Sequence, residues 1–192
     1  MSFGYDERFS PAEISRRVQE VAQRITTDYP DESPITLIAI LKGAGFFMAD
    51  LARALPRRVR IEYIDVIRGK DDDEIVDFHF MTRFVRKDAD LIVLKDVVRS
   101  GVIETYLLNQ LREEGPQSIR LASLVDRPQE RKSSLVTDYV LFPSEEGILV
   151  GYGMEYRGEG GNFPFIAQVR ADDEASPLEH TGRIRFSKGI QG

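Results

Sequence analysis

LIVLKDVVRSGVIETYLLNQLREE, residues 91 to 114, decides the fold. Four apolar residues, Leu91 to Leu94, run into a polar turn from Lys95 to Gly101, after which Ile103, Leu107 and Leu111 recur every four residues. A short apolar run reads as a buried strand and the fourfold spacing as one face of a helix, so the stretch predicts strand, loop, helix. Gly115 and Pro116 close the helix. Glycine accepts the left-handed cap conformation, and proline has neither the N–H nor the φ freedom to continue. A loop joining the carboxyl end of a buried strand to a helix amino terminus exposes backbone N–H groups, and the helix dipole adds attraction for negative charge. Phosphate is therefore the first ligand class to consider. Gly101 would let such an anion approach the backbone closely.

The same pattern occurs once upstream. Ile35 to Leu41 (ITLIAIL) is a continuous apolar run of the kind a strand buried on both faces shows. Lys42-Gly43-Ala44-Gly45 follows, and then FFMADLARAL, with Phe46, Phe47, Leu51 and Leu55 at core-facing spacing. Nearer the amino terminus, residues 1 to 10 read as a loose arm. Ser10-Pro11-Ala12-Glu13 carries a helix-start signature, and Ile14, Val18, Val21 and Ile25 give that helix one apolar face. Further strands are expected at Val59 to Ile67, Ile75 to Phe84, Ser118 to Val125, Asp138 to Phe142, Ile148 to Tyr152 and Pro164 to Val169. Strands alternating with helices predict an α/β domain with a parallel, Rossmann-like sheet and a ligand crevice at the strands' carboxyl ends. The acidic run Asp71 to Glu74 reads as a solvated hairpin tip. His79 has no partner at metal-binding spacing.

At 192 residues the chain fits one domain, with a core over about 12–170 and a polar tail over about 171–192 that is mobile unless Arg183 to Phe186 adds an edge strand. The composition, 42% hydrophobic and 30% charged with no cysteine, is that of a globular protein without disulfides or cysteine-held metal. No secretory signal or membrane span is visible, which makes the cytoplasm the expected setting. A net charge of -6 argues against nucleic acid as a partner, and no membrane partner is expected either.

The loop Lys95-Asp96-Val97-Val98-Arg99-Ser100-Gly101-Val102-Ile103 resembles the one that holds phosphoribosyl pyrophosphate in type I phosphoribosyltransferases of the hypoxanthine/guanine, purine salvage type. There the strand ends in Glu-Asp, two apolar residues and Asp-Thr-Gly-x-Thr. Asp96, Ser100 and Gly101 match, whereas Lys95 replaces an acid, Arg99 replaces the acid that serves as base, and Ile103 replaces a hydroxyl. ILKGAGFFMADL is similar to the family's pyrophosphate loop, which places Lys42 and Gly43 at that site. DYVLFPSEEGILVGYGMEYRGEGGNFPFI resembles the purine-binding hood, a small subdomain beside the core, again with changes. Val136 takes the place of the purine-reading lysine and Ile148, next to Leu149, that of the stacking aromatic. Glu155 replaces the metal-linked aspartate, and Gly161 an arginine that meets pyrophosphate.

The resemblance implies a phosphate or nucleotide site built from Lys42, Gly43, Lys95, Asp96, Arg99, Ser100, Gly101, Val102 and Ile103, and a base pocket at Val136, Ile148, Leu149 and Glu155. It implies a homodimer or homotetramer. Phosphoribosyl transfer needs Mg²⁺ on the diphosphate, carboxylates about the ribose and a base near the purine. With Lys95 and Arg99 in place of two acids, the loop sums to +1 over Lys95, Asp96 and Arg99. Three readings stay open. One is a degenerate transferase that binds a nucleotide or related anion, with no cofactor and no catalytic residue assigned. Another is an active transferase with Mg²⁺, weakly supported at Glu155, and a base relocated to Glu62, Asp65 or Glu155. The third is a structural subunit of an oligomer.

Overall fold

The fold was read from a computed structural model, which describes residues 3–30, 34–68, 75–81, 87–144 and 147–174. In chain order the elements are β1 (Tyr5–Phe9), α1 (Pro11–Asp28), β2 (Ile35–Ile40), α2 (Gly45–Ala54), β3 (Val59–Arg68), β4 (Ile75–Phe80), β5 (Asp90–Val98), α3 (Val102–Glu113), β6 (Ser118–Asp126), β7 (Tyr139–Pro143), β8 (Leu149–Val150), β9 (Ile166–Val169) and α4 (Ala171–Glu174). The acidic run 71–74, residues 82–84 of the strand expected at Ile75 to Phe84, and Arg183 to Phe186 lie outside the described residues.

Six strands form the main sheet in the order β4-β3-β2-β5-β6-β7. All its pairings are parallel except that of β4 with β3. Every residue of β2 is buried, and so are Asp90 to Leu94 at the start of β5. This is what their unbroken apolar runs require, since crossover helices leave both faces of a parallel strand covered. One core face gathers α1, α2 and β7, through Ile14, Val18, Phe47, Leu51 and Leu141; the other gathers α3, through Leu107 and Leu111, against Ile38, Leu91 and Leu121.

Three sequence expectations change. Residues 5–9 are not a loose arm: β1 pairs antiparallel with β9, and β8 completes a second, three-stranded sheet. Phe9 stacks on Phe142 of β7 with ring centroids 4.0 Å apart, which fixes this small sheet to the large one. β5 continues to Val98, so Lys95 and Asp96 belong to the strand and the turn is shorter than expected. The hood strand is cut to Leu149–Val150, because Gly151, Tyr152 and Gly153 all take positive φ and the chain cannot stay extended. Past β9, residues 171–174 form the short helix α4, and Gly4 donates its N–H to Asp173 at 2.7 Å. No helix among the described residues is long and apolar enough to cross a membrane.

The start of α1 follows its sequence signature. Ser10 Oγ accepts from the Glu13 amide at 3.3 Å while the Glu13 carboxylate accepts from the Ser10 amide at 2.9 Å. These reciprocal bonds satisfy donors that a helix start otherwise leaves unpaired. Ser10→Ala should therefore cost about 1 kcal/mol of stability, read as a shift in the urea midpoint. An unchanged midpoint would mean that the cap contributes nothing.

The first turn of α3 holds a polar exception in the core: Glu104 is 4% exposed. Burial raises its carboxyl above the ordinary glutamate value, Asp96 adds to the rise, and Lys95 and Arg131 oppose it. The unfolded chain releases this proton at lower pH than the folded protein does, so stability falls as pH climbs from the ordinary glutamate value through the raised one. Glu104→Gln should flatten that fall and raise the melting temperature at neutral pH. A variant with the wild-type slope would show that the proton belongs elsewhere.

Candidate functional site

Because β2 and β5 pair in parallel, with Ile35 opposite Asp90 through Ala39 opposite Leu94, their carboxyl ends deliver the two glycine-bearing loops side by side. The loops touch. A Cβ built on Gly43 would lie 1.9 Å from Asp96 Oδ2, so only glycine fits. The Leu41–Lys42 peptide bond, at the start of this first loop, is cis. Asp96 Oδ1 accepts from both the Lys95 ammonium and the Val97 N–H, the latter at 2.8 Å.

Two cavities meet at Asp96. The first, of about 690 Å³, is lined by Lys42, Gly43, Asp96, Val97, Arg99, Arg127, Glu130, Gly147, Ile148, Leu149, Gly153, Met154 and Glu155. The second, of about 820 Å³, runs along the start of α3 past Lys95, Ser100, Val102, Ile103 and Glu104 to Gln129, Arg131 and Lys132, and it shares Asp96, Val97, Arg99 and Glu130 with the first. First-turn amides lack intrahelical acceptors, so the residues at the head of α3 give this cavity the donor character expected of an anion cradle.

Most of the expected site residues therefore converge. Lys42, Gly43, Asp96, Arg99, Ile148, Leu149 and Glu155 line the first cavity, and Lys95, Ser100, Val102 and Ile103 line the second. Two do not. Val136 is 76% exposed, on the loop before β7, and lines neither cavity. Gly101 has φ +74° and caps α3 in the left-handed region; a Cβ there would meet Ser133 Oγ at 2.7 Å and Arg131 Cδ at 2.9 Å. Its freedom is used by the turn and by that packing. Of the alternative bases, Glu62 and Asp65 lie on β3 and line neither cavity, whereas Glu155 lines the first, with Lys42 Nζ 3.9 Å away. Gly161 and Glu155 line a further cavity, of about 700 Å³, that opens beside Phe46.

The electrostatics differ from a bare cationic loop. Arg99 Nε donates to Glu130 Oε2 at 2.7 Å, and Arg127 Nη1 reaches Oε1 of the same carboxylate at 3.3 Å. Arg131 donates to the Arg99 carbonyl at 2.9 Å and pairs with Asp126. Arg127, Glu130 and Arg131 were not singled out from the sequence. The signal available was their place directly after β6, the neighbour of the phosphate-loop strand, in a run of charges that reads as surface.

No cluster of three or more acidic or histidine side chains that could hold a metal ion occurs among the described residues. Among the carboxylates lining the cavities, Asp96 and Glu155 face the ammonium groups of Lys95 and Lys42, and Glu130 faces the guanidinium groups of Arg99 and Arg127. These residues do not fit a resident divalent ion, since the adjacent cations repel it.

The model of the phosphoribosyl transferase domain matches residues 10–157. A hypoxanthine-guanine phosphoribosyltransferase of Bacillus subtilis is 29% identical over 165 residues, 84% of this chain and 91% of that protein. One from Aquifex aeolicus is 28% identical over 82% of this chain and 90% of its own. Among solved structures, a Bacillus anthracis hypoxanthine-guanine phosphoribosyltransferase superposes with a TM-score of 0.80 at 27% identity, covering 88% of this chain and all of that one. A Trypanosoma cruzi hypoxanthine phosphoribosyl transferase, solved in work on its C-terminal region, oligomeric state and enzymatic activity, gives a TM-score of 0.84 at 27% identity, covering 91% and 96%. With the match running from the cap of α1 through the two loops and into the hood, the chain belongs to the phosphoribosyl transferase domain family.

Proposed function

We propose that this family member binds a nucleotide or another phosphate-bearing ligand in the joined cavities, and that its ordinary purine salvage activity is lost or much reduced. The observation that carries the reading is Arg99: its guanidinium lines both cavities at the position where the family pattern puts the proton-accepting acid. An arginine, with its very high pKa, is a poor base. A unit charge about 4 Å from a developing ribose cation is worth about 4 kcal/mol at an effective dielectric near 20, roughly three decades of rate. Lys95 removes a second acid, and Ile148 offers no ring for a purine to stack on.

Binding is a different matter. Guanidinium groups engage phosphate bidentately, and the start of α3 adds attraction of the same sign. The ligand should need little Mg²⁺, because the cations a metal would supply are already in the walls. One feature favours an active transferase instead: the Glu155 carboxylate stands in the first cavity, where it could take a proton. We further propose association with a second copy or as a tetramer, supported by the half-exposed apolar side chains Phe46, Ile61 and Tyr106.

A pyrophosphate-release assay with phosphoribosyl pyrophosphate and hypoxanthine or guanine should show no turnover at an enzyme-like rate. Calorimetry with nucleoside monophosphates and phosphoribosyl pyrophosphate should show binding that survives chelator and weakens with salt. Arg99→Ala should weaken it by about 1.5–3 kcal/mol, the value of a hydrogen bond to a charged group. Sustained turnover abolished by Glu155→Ala would establish the active alternative, and heat seen only with Mg²⁺ would overturn the metal-independent site.

A further inference from the structure

We infer that Glu130 is an internal anion that occupies the phosphate position between Arg99 and Arg127, so that this carboxylate sets how strongly, and for what charge of ligand, the site binds. The inference rests on the reading of these cavities as an anion site. Glu130 lines both of them, at the one place where they join besides Asp96, Val97 and Arg99. Its two oxygens go to two different guanidinium groups, Oε2 to Arg99 at 2.7 Å and Oε1 to Arg127 at 3.3 Å. A phosphate oxygen pair would make the same bridge.

The carboxylate is a partial substitute. Arg127 is buried, its side chain 5% exposed, and a buried guanidinium must be compensated. Yet the Glu130 contact is its long one; Nη2 donates to the Gly147 carbonyl at 2.6 Å, and Nε is buried without a hydrogen-bond partner among the described residues. A carboxylate has two acceptor oxygens and one charge, whereas a terminal phosphate group has three oxygens and more charge. The arrangement is therefore better completed by a polyanion than by Glu130. Release needs only a side-chain rotation. The backbone carrying Glu130 is fixed by a 3-10 turn, Pro128–Glu130, in which Glu130 N donates to Arg127 O at 3.1 Å and Arg131 N to Pro128 O at 3.2 Å. Once displaced, the carboxylate faces solvent, to which it is already one-quarter open.

Two consequences follow from the competition. A ligand gains only the difference between its own interactions and those of Glu130, which penalises singly charged anions most. Removing the internal charge should tighten every polyanion. The discriminating experiment is calorimetric titration of the full-length protein with inorganic pyrophosphate and with inorganic phosphate, in chelator. Glu130→Gln keeps size and hydrogen-bonding capacity while deleting the charge, and Glu130→Ala serves as a second variant should the first melt below the assay temperature. The expected result is pyrophosphate binding about tenfold tighter in either variant than in wild type. The gain should disappear when Arg99→Ala is added, since a double-mutant cycle isolates the coupling of the two groups. It should also persist in roughly 0.5 M salt, where charges farther apart than a few ångströms are screened.

Wild type and variants that bind pyrophosphate equally, or variants that bind it more weakly, would overturn the inference while leaving the anion site in place. A gain that vanishes in high salt would overturn it too, by showing long-range charge rather than displacement. Silence from all proteins with both anions would overturn the inference together with the reading it rests on, whereas binding seen only in the variants supports both.

Discussion

Gly43 and Asp96 occupy space that two side chains cannot share, and the site depends on that constraint. With an added Cβ only 1.9 Å from the carboxylate, the loop after β2 and the end of β5 are locked edge to edge. The parallel pairing of β2 with β5 brings them there, and the apolar burial of both strands makes the pairing stable. At ~1.5–3 kcal/mol for each fully buried Leu or Ile, this ladder outweighs the modest cost of orienting one charged side chain at its end. The core can therefore hold Asp96 in place whatever charge its neighbours carry.

That independence lets one scaffold carry different charges at its rim. Lys95, which stands where the family pattern has an acid, does not project as a free cation: it closes on Asp96 next door. Arg99 closes on Glu130, and Arg131 on Asp126. Each cation introduced at the loop has an acid within reach, so the crevice avoids the self-repulsion that a net +1 over three residues would suggest. Such pairs at the rim contribute little stability where they are exposed, as Arg99 is. Their effect is on what else can enter.

Much of the fold was legible because it rests on local signals. The runs at 35–41 and 91–94, the fourfold spacing after Gly101 and the Ser10 cap each report a period or a capping geometry contained within a few residues. The misreadings involve partners far apart in the chain. Nothing in Tyr5 to Phe9 announces that residues 166–169 will supply its hydrogen bonds, and this segment is polar enough to read as an arm. Strand β5 runs on to Val98 because β6 continues beside it, Val97 opposite Val125 and Val98 opposite Asp126, which a polar residue such as Lys95 conceals in the sequence. In the site, the resemblance pointed to Lys42, Asp96, Arg99 and Glu155, and these four line one cavity. It placed Val136 in the base pocket, whereas this residue is exposed and lines neither cavity.

The partner of Arg99 was the part least accessible to sequence. Glu130 lies 31 residues away, across the whole of α3 and β6, and in the linear chain it is one charge in the run Glu130-Arg131-Lys132. Only the parallel return of β6 alongside β5 brings its turn over the loop. A charge sum over adjacent residues therefore leaves out most of the groups that a ligand would meet. Lys95, Asp96 and Arg99 sum to +1, whereas the side chains lining the two cavities comprise six cations (Lys42, Lys95, Arg99, Arg127, Arg131 and Lys132) and four acids (Asp96, Glu104, Glu130 and Glu155), a formal sum of +2. The physical unit that meets a ligand is the set of groups sharing a cavity wall. In this protein that set is assembled from β2, β5, the turn after β6 and the hood, so its charge could be counted only after the strands had been placed in order.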